Sequence, residues 1–518
     1  MRRLRCLTLA AVVALAACEA AAQAGAPTPP AALAQAPSLA GARVPAAAVA
    51  AQADLPTPHH RVAASTRPAS APVALHPALP PVKTPGAKAE PILLTPDVRA
   101  RIDALLASDA MRRAGGPAVP AEPSAPADPA SRPADKALPW GANTLLANPT
   151  DMDDEYVSLA VSPLTGAIYA TFAATDLGGT DRDIHISRSQ DNGLTWTTWE
   201  MPSYTADEYH PDLAIDAAGY LHVVWIAAPG TLMRARSNAP DNPQGWAFVE
   251  GLAADEPLAT PSIAVSGGGD FARVFIALGW QTVNWDLFAY EWTLLFMYSS
   301  DGGRNITYDY FLPDGYPDYW PDVTMSGSLV HFINAQADYD TGEMDILIAS
   351  DQYSGSFMDV ASLTGWTSNN CGFPRLTGQG DQVFAVYQHD WTDGFNTDGD
   401  IIYAYSWDAG ASWFGPVEMI ADPYESVGPT VFTRNGVVGC LWLDAPAGGD
   451  EFDLAARLGS GGGHSSLFGG VETVTDQPRV EPQFHSTAGV ALATGVRAAW
   501  SDRRNYATQG RNIYTASR

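Results

Sequence analysis

Ser189-Gln190-Asp191-Asn192-Gly193-Leu194-Thr195-Trp196 is the stretch whose reading decides the fold of this chain. It follows the alternating run 183–188 and precedes another apolar stretch, so it reads as the tip of a β-hairpin. An Asp in a tight turn accepts hydrogen bonds from backbone N–H groups just ahead of it, and Gly supplies φ > 0. Trp196 then covers the turn from the strand side, where a large apolar face adds most.

The stretch recurs. Ser406-Trp407-Asp408-Ala409-Gly410-Ala411-Ser412-Trp413 repeats it nearly whole, and Ser299-Ser300-Asp301-Gly302-Gly303 repeats its first half. The pattern Ser-x-Asp-x-Gly-x-Thr-Trp resembles the Asp-box, or BNR repeat, of the sialidase-like β-propeller superfamily. That resemblance implies a propeller. It also implies a scaffold role for Ser189, Asp191, Gly193, Trp196, Ser299, Asp301, Gly303, Ser406, Asp408, Gly410 and Trp413. Function is a separate matter, because one fold hosts many chemistries.

A larger repeat surrounds these turns. The segment Ser158-Leu159-Ala160-Val161 returns at Asp212-Leu213, Ser262-Ile263, Asp322-Val323, Arg375-Leu376, Thr430-Val431 and Gln483-Phe484. The steps are 54, 50, 60, 53, 55 and 53 residues, and a Pro stands immediately before six of the seven. Pro suits the first residue of a strand. Each unit continues through an apolar strand ending in forms such as Val224-Trp225 or Ala499-Trp500, a variable loop, and a third strand. Four short strands at a period near 50 predict propeller blades. The expected fold is all-β: a seven-bladed propeller of four-stranded antiparallel blades over 139–518. Well-known sialidase domains have six blades, so the count is a departure. The chain stops at Arg518 after a third strand, and the segment 143–147 is expected to pair into the last blade and close the ring.

The front of the chain is of another kind. Residues 1–17 combine Arg2, Arg3 and Arg5 with a short apolar run, too short for an ordinary membrane span. Leu15-Ala16-Ala17-Cys18 resembles a lipobox, which implies lipidation of Cys18 and an outer-membrane lipoprotein of the cell envelope. From 18 to 138 the chain is mostly Ala and Pro, a composition that cannot bury enough apolar area to fold. It reads as a disordered tether with one short helix expected over 96–113, capped at Thr95-Pro96 and apolar at Val98, Ile102, Leu105 and Leu106. Charge divides at the same boundary. Residues 1–138 hold 14 basic and 9 acidic residues, and 139–518 hold 15 and 48, the 15 all Arg. A net charge of −33 on the folded part argues against nucleic acid and suits solubility outside the cell or cation binding. A monomer, held at the membrane only by its lipid, is the expected state. Export would permit a Cys371–Cys440 disulfide, although Cys440 lies inside an apolar strand.

Within a blade the Asp-box turns share a face with the short turns between strands one and two. The long loops gather on the other face, where function is expected. Channel-mouth ligand residues there are His210, Asp212, Trp320, Asp322, Arg375, Glu481, Gln483, Asp502 and Arg503. Carboxylates, one Arg and aromatic faces suit a sugar; filling and hydrating the channel is the plainer role. The resemblance implies an exo-sialidase, which needs three Arg for the substrate carboxylate, a Tyr–Glu pair and an acid/base Asp. Its Phe/Tyr-Arg-Ile-Pro motif is absent, and Phe373-Pro374-Arg375-Leu376 is not it. Arg182, Arg375, Arg479, Arg503, Arg504 and Arg511 could reach the mouth, either as an anion site or as partners of nearby Asp. Asp338, Asp340, Asp398 and Asp400 have a spacing that suits calcium, with turn chemistry as the alternative. The reading is thus a propeller that binds glycan or protein through its long-loop face; an exo-sialidase-like glycoside hydrolase and a structural role in the envelope are the alternatives.

Overall fold

The computed structural model describes Val73–Ala74 and residues 140–518, apart from 147–151, 177–180, 203–206, 229, 255, 285–288, 311–315, 338–343, 352–358, 365–369, 393–396, 421–423, 447–451, 461–467, 477–479, 481–485 and 505–509. Contacts divide the chain into Met1–Val44 and Pro45–Arg518, and every described residue lies in the second unit. The signal sequence, Cys18, the helix expected over 96–113, Asp338, Asp340, Arg479, Glu481 and Gln483 lie outside the described residues, as does the side chain of Asp398.

Seven sheets follow one another, each built on antiparallel strands in chain order, with a strand from the front of the chain added at the outer edge of blades 2 and 7. Blade 1 comprises Met152–Val161, Ile168–Asp176, Arg182–Ser189 and Thr197–Glu200. The first strands of blades 2 to 7 are Glu208–Ile215, Leu258–Ser266, Asp318–Ser326, Asn370–Gln379, Tyr424–Arg434 and Thr487–Ala491. Blade 7 supplies three strands, and Thr144–Leu145 completes it against Asn512–Ser517, with Thr144 opposite Thr515. The expected count and closure are both present. Val73–Ala74 adds a short parallel edge to the outer strand of blade 2, at Leu252 and Ala253. Second strands such as Leu221–Ala227 are buried along their whole length, which is why they read as unbroken apolar runs. Their Trp225, Trp442 and Trp500 are among the largest wholly buried side chains. Cys371 and Cys440 are buried thiols and form no disulfide with each other.

The repeated Pro is not at a strand start. Pro211, Pro261, Pro321, Pro374 and Pro429 lie inside their first strands, each at a register shift against the second strand, and Val157 holds that place in blade 1. The residue before each is left-handed: Tyr156 (φ 57), His210 (51), Thr260 (46), Trp320 (49), Phe373 (51) and Gly428 (59). A bulge frees the N–H that Pro lacks, so six strands kink at one level. Blade 7 corrects the repeat. Ala488 faces Ala499 as Asp212 faces Val224, so Ala488, five residues beyond Gln483, is the seventh channel position. Pro482 marks no described bulge; the register follows Trp500.

The turn at 189–196 is closed by its own side chains. Ser189 Oγ donates to Asp191 Oδ1 (2.8 Å) and accepts from Gly193 N (2.7 Å). Asp191 also accepts from Thr195 N (2.9 Å) and Thr195 Oγ1 (2.6 Å), and Trp196 Nε1 donates to Gly193 O (3.2 Å). Ser406, Asp408, Gly410 and Ser412 repeat the set. So do Ser299, Asp301 and Gly303, with Asn305 N and Nδ2 in the place of Thr195. The copy that looked partial in sequence keeps every Ser and Asp bond of the turn and lacks only the Trp Nε1 bond, where Ile306 stands.

Each of these turns rests on a buried base from the preceding blade. A Cβ on Gly193 would come within 2.5 Å of Arg497 Nε, one on Gly410 within 3.1 Å of His331 Nδ1, and one on Gly303 within 3.9 Å of His222 Nδ1. Arg497, His222 and His331 occupy one place in the repeat, opposite the residue two beyond the channel position (Val490, Ala214, Thr324). Where the next blade lacks the full turn, that place holds Tyr169, Phe275, Phe384 or Gly439. Arg497 donates to Asn192 O and so satisfies a carbonyl that the tight turn of blade 1 leaves over. Gly193→Ala is therefore expected to cost more than Gly436→Ala, although both glycines have positive φ (83 and 78). Nothing lies within 4 Å of a Cβ at Gly436. Urea unfolding should show a loss of about 1 kcal/mol for Gly436→Ala, and roughly 1–3 kcal/mol more for Gly193→Ala, where Arg497 must move.

Candidate functional site

The first strands line a central cavity of about 580 Å³. Ser158, Asp212, Ser262, Asp322, Arg375 and Thr430 stand at its inner end, with Thr487 and Ala488 in blade 7. Its rim includes Pro163, Ala217 and Gly267, all exposed turn residues between first and second strands. The cavity therefore opens on the short-turn face. That corrects the expectation that Asp212, Asp322 and Arg375 belong to the long-loop mouth: beyond the bulge, each first strand runs toward the short turns.

The two aspartates at the inner end are already engaged. Asp212 accepts from Ser158 Oγ (2.7 Å), Leu213 N (2.9 Å) and Ile263 N (2.8 Å). Asp322 accepts from Ser262 Oγ (2.6 Å), Val323 N (3.0 Å) and Leu376 N (2.7 Å). Each carboxylate thus ties three successive blades, 1–2–3 and 3–4–5. Burial raises the pKa of Asp212 against the pull of the Ile263 amide. Arg375 Nη1 lies 3.9 Å from Asp322 Oδ1; burial lowers its pKa, against the opposing charges of Asp322 and Asp212.

Above this level, on the long-loop side, the left-handed bulge residues form an aromatic layer that does not line the cavity. Tyr156 meets His210 edge-on at 4.3 Å between centroids, and Tyr209 meets it at 5.1 Å. Across the axis Trp320 stacks on Phe373 at 4.3 Å, with Tyr319 at 5.6 Å from Trp320. Burial, then the charges of Arg182 and Arg375, push the His210 pKa down to about 3. The imidazole is neutral throughout the physiological range.

A chain of ion pairs borders the layer where blades 7, 1 and 2 meet. Arg182 is bidentate on Asp207 (Nε–Oδ1 2.8 Å, Nη2–Oδ2 2.5 Å) and reaches Glu155 Oε2 at 3.1 Å. Arg511 is bidentate on Asp153 (2.8 and 2.6 Å) and pairs with the other oxygen of Glu155. The Arg182 guanidinium lies 5.1 Å over the Tyr209 ring. Burial works to raise Asp207 and Asp153, and the arginine bonds outweigh it and lower both. The two locks are one repeat: Arg511 precedes Asn512-Ile513 as Arg182 precedes Asp183-Ile184, and the partner aspartate lies three residues before the left-handed bulge each time. The stretches 150–156 and 205–209 are alike in sequence, and the ring shows that each carries an arginine's partner.

The remaining expected residues fall elsewhere. Asp502 has no exposed surface and accepts from Trp500 Nε1 (3.0 Å), Arg504 N (2.7 Å) and Arg504 Nη2 (2.7 Å). Arg504 also pairs with Asp476 at 2.7 Å, so Arg–Asp pairing holds in this segment. Arg503 is half-buried beside it. Asp400 is buried opposite His389, and among the described residues no group of three or more His, Cys, Asp or Glu could hold a metal ion.

No protein-family model and no curated protein matches the sequence. Among solved structures the chain is similar to the polysaccharide lyase Uly1, at 10% identity and TM-score 0.45, covering 70% of this chain and 89% of that one. An ulvan lyase of polysaccharide lyase family 25 aligns at 13% identity and TM-score 0.41, covering 71% and 95%. The sialidase of Trypanosoma rangeli aligns at 11% identity and TM-score 0.37, covering 71% of this chain and 55% of the sialidase. The blade count and the site geometry above rest on the strands and side chains of this chain alone.

One acid at the margin of the site has a measurable signature. Asp154, wholly buried in the seam between blades 1 and 7, has its pKa pushed up to about 8 by burial, with the Ile513 amide opposing and Asp153 adding. A raised folded pKa means that the native state holds a proton which the unfolded chain releases. Stability should therefore fall as pH rises from about 4 to about 8, by up to ~1.4 kcal/mol per unit, and level off above. Denaturant unfolding of Asp154→Asn across that range should lack this component of the slope.

Proposed function

We propose that this protein is a glycan-binding propeller of the cell envelope, and that its ligand lies across the long-loop end on the aromatic layer of Tyr156, Tyr209, Trp320 and Phe373. The observation that carries the reading is this layer of partly exposed rings, two of which, Tyr156 and Tyr209, lie under an Arg182 already committed to carboxylates. Sugar C–H faces stack on such rings while hydroxyls donate hydrogen bonds to carboxylates at the rim. Asp207, about 30% exposed, is one such group. The chain of ion pairs sets three carboxylates against two guanidiniums, inside a domain of net charge −33. That field repels sulfated, uronate and sialylated chains and admits neutral or amino sugars. An anchor at Cys18 with a tether to residue 138 suits this use. The tether joins beside the end of strand three, where Gly141 N donates to Ser517 O (2.7 Å), so the aromatic layer is on the face away from the attachment.

A hydrolytic reading has one arrangement in its favour: Tyr156 follows Glu155 and feels the charges of Arg182 and Arg511. The same surroundings weaken it. Burial and the Glu155 charge raise the Tyr156 pKa, the opposite of what a nucleophilic tyrosine needs. Arg182 and Arg511 are each clamped by an aspartate and are not open to a substrate carboxylate.

The full chain on a glycan array should retain neutral or amino-sugar glycans, and Trp320→Ala should weaken binding at least about tenfold, the equivalent of one lost stacking contact. A fluorogenic sialoside should not turn over. Turnover that disappears in Tyr156→Phe would replace the binding reading with the hydrolytic one, and an array without any retained glycan would end both.

A further inference from the structure

The short-turn face has a feature that glycan binding does not use. Three large apolar side chains stand out from it: Leu164 (56% exposed), Leu194 (69%) and Phe271 (86%). Leu164 and Phe271 belong to one surface. Leu164 Cδ1 lies 2.7 Å from where a Cβ on Gly219 would sit, and Ala218 N lies 2.7 Å from a Cβ on Gly268. The turns of blades 1, 2 and 3 therefore abut, and Ala217, Ala218, Gly267 and Gly268 floor a shallow saddle between Leu164 and Phe271. Its inner border, at Pro163, Ala217 and Gly267, is the rim of the central cavity. Asp270, 57% exposed, stands beside Phe271 and is paired with Arg304 (2.7 Å) and Arg236 (3.2 Å). Exposed aromatic and aliphatic side chains around a floor of small residues form a surface made to be covered.

We propose that the saddle is covered by residues 96–113 of the same chain, docked as an amphipathic helix. The chain enters the propeller on this face, with Gly141 bonded to Ser517 and Trp140 Nε1 donating to Glu472 (3.1 Å). The 26 residues between 113 and 140 span up to about 80 Å when extended, against a radius of gyration of about 21 Å for a domain of this size, so the segment reaches any part of the face. Its Val98, Ile102, Leu105 and Leu106 share one side of a helix, a match in kind for Leu164 and Phe271. Its Arg99, Arg101, Arg112 and Arg113 outnumber Asp97, Asp103 and Asp109, which suits a domain of net charge −33. Tethering supplies an effective concentration near the millimolar range, so a small apolar contact is enough. Docked in this way, the segment shortens the free tether to the residues before 96.

Limited trypsin digestion of the full chain tests this. Cleavage after Arg99, Arg101, Arg112 and Arg113 should be at least tenfold slower than after Arg43, Arg61 and Lys88 in the same tether. Phe271→Asp, Leu164→Asp and Ile102→Asp should each bring the rates together. Phe271 and Leu164 are exposed, so an unchanged melting temperature shows that the propeller itself is intact. Equal rates in the wild type overturn the proposal. So does protection that survives both surface substitutions, which would reflect the helix alone, and so does protection lost on dilution, which would place the segment on a second copy.

Discussion

Asp212 holds three blades at once, and the rest of the ring depends on contacts of that kind. A propeller satisfies most of its backbone within each blade; among the described residues the closing strand at 144–145, the bridges of Val480 to Phe452 and Asp502, and single bonds such as Asp154 N to Arg511 O and Ala217 N to Gly267 O are what cross from one blade to the next. The seams must be held by apolar packing and by a few buried polar groups that cross them. Here Asp212 and Asp322 accept from a serine of the preceding blade and an amide of the following one. Arg497, donating to Asn192 O, does the same work at the short-turn end between blades 7 and 1, and Arg182–Asp207 and Arg511–Asp153 do it at the long-loop end. A buried carboxylate is tolerated only when donors replace its lost water, and the ring geometry supplies those donors from both neighbours.

This accounting narrows function. The side chains with the most reactive chemistry, the channel acids and the arginines of blades 7, 1 and 2, are those most fully used in holding the seams. The layer above the bulges is different. Its rings are brought together because six first strands turn left-handed at one level, a conformation with a real cost for Tyr, His, Trp and Phe. Backbone strain of this kind, repeated around an axis, presents side chains toward the long-loop end that a regular strand would lay against the neighbouring blade.

Much of the architecture was legible. The period near 50, the Ser-x-Asp-x-Gly turns and the apolar second strands are local patterns, and they led to seven blades and to the closing strand. The repeated Pro was seen but placed at strand starts, because an extended segment and a bulged strand look alike around Pro until the partner strand shows the register. The same ambiguity displaced the seventh channel position from Ala488 to Gln483. The third turn looked incomplete because Asn305 and Ile306 stand where Thr and Trp were sought, yet Asn offers the same pair of donors.

The sequence by itself determined what each blade is, since strand alternation, turn residues and burial of the second strand are set within some fifty residues. Only the tertiary structure decided what the polar residues do. Whether Asp212 faces a ligand or the Ile263 amide, whether Arg182 is open or clamped by Asp207, and which face the cavity opens on all depend on neighbours from other blades. Those neighbours become adjacent only when the ring closes, at separations of 25 to several hundred residues, beyond the reach of any local pattern.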